Sequence, residues 1–155
     1  SVVFNLIMPA SKQGASQVQQ IRASELGQSL MNEITGRAFD QNSDMAGGFY
    51  RCNENNEAGV FNPCSTVLGN DGESRENFND VDDYHGLNEQ GSNIQNSLGQ
   101  SLGELYLGFE TSVTVVYDGN YDGIADNNQQ AKLITINVTT PTADVITFAA
   151  YKVNF

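Results

Sequence analysis

Three runs in the last third of the chain alternate along their length and are joined by short connections. No other feature constrains the fold so tightly. FETSVTVVY sets Val113, Val115 and Tyr117 on one face, with Ser112, Thr114 and Val116 on the other. AKLITINV puts Ile134, Ile136 and Val138 on one face, and DVITFAAYKVNF alternates Val145, Thr147, Ala149, Tyr151, Val153 and Phe155. A period of two is the signature of a strand. The turn TTPTAD separates the last two runs. Sequential strands with short connections predict an antiparallel meander, and one face of it must be covered.

The cover is upstream. From about Ala10 to Phe39 the chain reads as one long helix, with no proline after Pro9 and many Gln, Ala, Ser, Glu and Leu residues. Ala23, Leu26, Leu30, Met31, Ile34 and Ala38 share one broad stripe, while Lys12, Arg22, Glu25 and Glu33 lie mostly off it. A helix of ~30 residues is about 45 Å long at 1.5 Å per residue, more than so small a domain covers. Its thinly apolar first half, SKQGASQVQQ, is therefore expected to protrude. The opening run SVVFNLIMP is too short to span a bilayer and lacks the positive flank of a signal peptide. It reads either as the tail of a longer hydrophobic segment or as an ordinary core segment.

These expectations give an α+β fold: a helix over 1–39 and a globular head over 40–155 forming one structural unit. Within the head, an irregular connection over 40–104 leads to the sheet over 105–155. So long a connection is uncommon unless it is functional or covalently restrained. Cys52 and Cys64 supply a restraint if they are oxidised, the alternative being two buried thiols. Zinc needs more ligands than these cysteines and the distant His85 offer. The balance of 19 acidic against 7 basic residues, net −12, repels nucleic acid and anionic membrane surfaces. Metal cations and basic protein surfaces remain as partners.

The densest chemistry is in YDGNYDGIADNN. Asp118, Asn120, Asp122, Gly123 and Asp126 follow the front of a twelve-residue calcium loop, with the Ile124 carbonyl at its seventh position. Gln129 stands where such a loop carries a bidentate glutamate, and the flanks read as strands. The expectation is an EF-hand-like loop inside a hairpin, binding Ca2+ structurally. A polar turn rich in Asp, Asn and Gly is the alternative.

Elsewhere the signals are weaker. His85 follows Asp80, Asp82, Asp83 and Tyr84, but no Ser or Cys sits in a recognisable nucleophile motif. That block is read as a polar cluster ordering the loop, from which a carboxylate could also reach a cation held elsewhere. No catalytic residues are assigned. Gly47-Gly48 is a turn, and the NVT at Asn137 lies inside an expected strand.

The order of elements resembles type IV pilins and pseudopilins. ELGQSLMNEITGRAFDQNSD, Arg51-Cys52 and SRENFNDVDDYHGL are similar to minor pilins of the MshD type in the mannose-sensitive haemagglutinin (MSHA) pilus. The family's prepilin cleavage site and glutamate-bearing hydrophobic stretch are not in this sequence. The resemblance implies a non-enzymatic subunit anchored in the bacterial inner membrane through a preceding hydrophobic segment. It then packs against other pilin subunits by its helix, with an extracellular head. A secreted calcium-stabilised adhesin or carbohydrate-binding module is the rival reading.

Overall fold

The computed structural model describes residues 4–7, 15–46 and 48–154, with side chains from residue 17 onward. Strand β1 (Phe4–Ile7) precedes helix α1 (Ala15–Thr35), and the short strands β2 (Glu54–Asn55) and β3 (Phe61–Asn62) form a small hairpin. Then come β4 (Asn88–Gln90), β5 (Glu110–Tyr117), β6 (Ala131–Thr139) and β7 (Val145–Val153). The main sheet runs β1-β7-β6-β5-β4, with every neighbouring pair antiparallel. The expected meander forms its centre, and the fold is α+β.

Helix α1 crosses one face of this sheet. Leu26, Leu30, Met31 and Ile34 meet Val113 and Val115 of β5, Ile134, Ile136 and Val138 of β6, and Ile146 and Phe148 of β7. The approach is close at Gly27, where a Cβ would stand 2.1 Å from Phe148 Cε2. Glycine is a poor helix former, and here it makes room for the ring. The helix ends where Thr35 Oγ1 donates to the Met31 carbonyl and Lys152 Nζ of β7 donates to the Thr35 carbonyl at 2.8 Å. A cation on a terminal carbonyl satisfies a group the helix leaves open and suits its dipole.

Three expectations change. The helix is 21 residues long, not ~30: it stops four residues before Phe39, while residues 8–14 lie outside the described residues. The opening apolar run is not helical where it is described. Phe4–Ile7 pairs with β7 from Phe4↔Ala150 to Ile7↔Thr147, supplying partners to backbone groups that would otherwise form the sheet edge. In β7 the face turned to α1 carries Ile146, Phe148 and Ala150, whereas Tyr151 and Val153 pack with Ala131 on the other side. Alternation could not choose between two faces that both carry apolar residues.

The connection over 40–104 is more ordered than expected. Cys52 and Cys64 are joined, and both are buried. Their loop carries the β2–β3 hairpin, after which 3-10 turns at Arg75–Asn77, Asp82–Tyr84 and Gly91–Asn93 lead to β4. The 3-10 turns fold the chain onto the core through Phe78, Val81, Tyr84 and Ile94.

Candidate functional site

The loop after β5 turns its carboxylates onto its own backbone. Asp118, fully buried, accepts the Asp122 N–H at 3.2 Å, the Gly123 N–H at 2.8 Å and the Tyr151 hydroxyl. Asn120 Oδ1 accepts the Asp122 N–H, and Asp122 Oδ1 accepts the Ile124 N–H at 2.8 Å. Asp126 Oδ1 takes the N–H groups of Gly119 and Asn128. Gly123 sits at φ +85°, where a side chain would be strained. Burial alone would raise the Asp118 carboxyl, but bonds from Tyr151 and the Gly123 and Asp122 amides hold it below the usual carboxylate range.

Gln129 faces another way. Its Oε1 accepts Asn53 Nδ2 at 2.9 Å and its Nε2 donates to the Ser65 carbonyl. The residue in the twelfth position thus ties the hairpin to the disulfide-closed loop. Among the described residues, three acidic, cysteine or histidine side chains bring ligand atoms within 4.8 Å of one another in two groups, Asp40 with the cystine and Asp40 with Asp80 and Asp82. Asp118, Asp122 and Asp126 form no such group.

The second acidic assembly is buried and was not foreseen as a unit. Lys132 is the register partner of Tyr117 and shares the core-facing side of β6 with Ile134 and Ile136, fully buried. Its ammonium donates to the Phe39 carbonyl, lies 3.3 Å from Asp40 Oδ2 and touches Asp82 Oδ1. The Phe39 ring lies 4.1 Å from it and the Tyr117 ring 5.2 Å, both within cation–π range. Asp40 also accepts the N–H groups of Asn42 and Ser65 and the Ser65 hydroxyl. Lys132 is the charged partner of Asp82, and the Ser65 side chain also favours its carboxylate.

One cation thus serves three carboxylates. Burial, then the charges of Asp82 and Asp83, push Asp80 up to about 7, against the Asp83 N–H and Lys132. Burial pushes Asp82 up to about 6, with Lys132 opposing it. Burial and the surrounding carboxylates also push the Tyr117 phenol upward, and its hydroxyl donates to the Ser65 carbonyl at 2.7 Å.

The rest of the DVDDYH block bonds to its own backbone and to β5. Asp83 accepts the N–H groups of Asn79 and Asp80, and Asp80 accepts that of Asp83. His85 Nδ1 accepts the Val115 N–H at 3.0 Å, fastening the segment to β5. A second buried cation, Arg75, bridges Glu33 of α1 at 2.7 Å and Glu89 of β4 at 3.4 Å, with Phe78 and Tyr84 against its guanidinium. Gly47 lies outside the described residues. Asn137 lies in β6, where its side chain accepts the Thr147 hydroxyl.

Sequence reading found Asp80, Asp82 and Asp83 but missed Lys132, Asp40 and Arg75. The available signal was Lys132 two residues before Ile134, on the apolar parity of its strand. Comparison with known protein families, with curated proteins and with solved structures finds no match to this chain.

Proposed function

We propose that the chain is the head and helix of a non-enzymatic minor pilin, a structural and assembly subunit of a type IV filament of the MSHA kind. The observation that carries this reading is the partition of α1. Its C-terminal half is buried against the sheet, while Val18 and Ile21 are 56% and 61% exposed. Val18 shares a groove with Leu105 and Leu107, which are 59% and 74% exposed. A helix that leaves apolar residues uncovered at one end is suited to packing against neighbouring helices. The disulfide suits an oxidising compartment, in keeping with a periplasmic and then extracellular head. No helix of the described residues is long and apolar enough to cross a membrane.

The test is a photo-crosslinking residue at Ile21 in the full-length protein, expressed in cells that build the filament. Crosslinks to other pilin subunits are expected, together with loss of filaments in Ile21→Asp. Normal filaments in that variant and no pilin crosslink would sink the proposal.

The same reading gives the hairpin a structural calcium ion held by Asp118, Asn120, Asp122, the Ile124 carbonyl and Asp126. Support comes from the alternate spacing around Gly123, which draws these side chains to one loop, where amide bonds already engage both oxygens of Asp118. An ion would have to share or displace the bonds these oxygens now accept. Without a twelfth-position carboxylate the dissociation constant should lie at roughly 0.1–1 mM. At a hundredfold excess calcium would stabilise the head by about 2.7 kcal/mol. Equal melting temperatures in calcium and in chelator would leave a polar turn.

A further inference from the structure

The Lys132 site sets an amine against a carboxyl group in a buried, aromatic-walled space. Both side chains are at least 97% buried, and the contact joins β6 to the 3-10 turn Asp82–Tyr84. Phe39 and Tyr117 close the walls around the nitrogen. No backbone amide donates to Asp82, whose polar partners are Lys132 and the Ser65 side chain. Asp80 brings an oxygen within 4.8 Å of both the Asp82 and Asp40 carboxylates. We propose that Lys132 and Asp82 condense spontaneously to an intramolecular isopeptide bond, with Asp80 carrying the proton.

The balance is simple. The Lys132 ammonium passes one proton to the Asp82 carboxylate, giving a neutral amine beside a neutral acid. In a low-dielectric interior that neutral pair competes with the ion pair, because desolvation penalises both charges. The nitrogen lone pair attacks Asp82 Cγ, and the N–C bond forms. The second nitrogen proton moves through Asp80 to the departing hydroxyl. The C–O bond breaks and one water leaves. No oxidant, reductant or metal is required.

The surroundings are arranged for both sides of the reaction. Burial, with the neighbouring Asp82 and Asp83 charges, raises Asp80 to about 7, so it can both accept and return a proton near neutrality. Lys132 from β6, Asp40 after α1, Asp83 on the 3-10 turn and Tyr117 of β5 are the other ionisable groups around it. Condensation removes one charge of each sign. Asp40 then keeps its own donors, the Asn42 and Ser65 amides and the Ser65 hydroxyl, so the product leaves no bare carboxylate there. Like the disulfide, the bond would pin the long connection, fixing its 3-10 turn to the sheet.

The test is the mass of purified, folded protein after denaturation, followed by tandem sequencing of its peptides. The expected mass is one water below that of the disulfide-bonded sequence, with a branched peptide joining Lys132 to Asp82. Lys132→Met should restore the missing water. Because that variant risks misfolding, Asp80→Asn provides the second arm: it keeps both reacting groups and should fold with the full mass. Full mass in wild type overturns the proposal and leaves a buried ion pair. A water lost elsewhere, as a succinimide at Asp71-Gly72, Asp118-Gly119 or Asp122-Gly123, overturns it equally. Bond formation undiminished in folded Asp80→Asn overturns the assigned role of Asp80.

Discussion

The two acidic centres solve the same problem by opposite means. In the hairpin, Asp118, Asp122 and Asp126 follow one another closely, and the loop's own N–H groups bond to their carboxyl oxygens. Around Lys132 the carboxylates come from residues 40, 80 and 82, and they share one ammonium inside the core. Backbone amides travel with the loop that needs them, so a local motif can be complete. A buried cluster is complete only after α1, the 3-10 turn Asp82–Tyr84 and β6 have docked. The first kind of site is local chemistry and the second is a consequence of tertiary structure.

Removing the cation should break that contrast most severely. Lys132→Met leaves Asp40, Asp80 and Asp82 facing one another without a counter-charge. Loss of one partner from a buried pair costs about 3–5 kcal/mol. Urea unfolding near neutral pH should show that loss, with partial recovery in mild acid. A change below 1 kcal/mol would mean that solvent reaches the cluster.

The disulfide comes next. Cys52 and Cys64 are separated by 12 residues, and closing a loop near this size contributes about 3 kcal/mol in the chain-entropy model. The Cys52→Ser/Cys64→Ser pair should therefore melt earlier. Its effect should spread to the hairpin, because Gln129 reaches Asn53 and Ser65 beside the cystine. A double variant that melts with wild type would deny that restraint any energetic weight.

A smaller effect is expected in the hairpin. Asp118→Asn keeps the shape but removes the charge that accepts the Gly123 N–H and the Tyr151 hydroxyl. Charge-assisted hydrogen bonds are stronger than neutral ones, so the Tm should fall by a few degrees. The fall should persist in chelator, because these donors belong to the protein itself. An effect seen only in calcium would assign Asp118 to the ion alone.

How much of this was legible follows the same division. The alternation of β5 and β6 displayed Val113, Val115, Ile134, Ile136 and Val138, all of which are in the core. The stripe through Ala23, Leu26, Leu30 and Ile34 likewise showed the buried face of α1. The cystine was readable because its two cysteines had no other use. Helix length was not readable, since propensity continues past Thr35 while the chain turns to place Phe39 and Asp40 against Lys132. The Arg75 bridge was hidden as well, because Glu33 and Glu89 lie far from it in sequence and meet only through packing. Lys132 looked like an ordinary charged residue at a strand start. Its burial depends on Phe39 and Tyr117 closing over it, which no window of sequence contains.

The most direct test of a core that holds more carboxylates than cations is the pH dependence of stability. Asp80 is raised from its ordinary value to about 7 by burial first and by Asp82 and Asp83 next, so the folded state binds its proton more tightly than the unfolded chain. A raised carboxyl contributes stability that is full below the unfolded pKa and disappears as pH rises through the folded one. The head should therefore melt higher at pH 5 than at pH 8, and Asp80→Asn should flatten that slope. A wild-type Tm that is level or higher at pH 8, with the same profile in Asp80→Asn, would contradict the account.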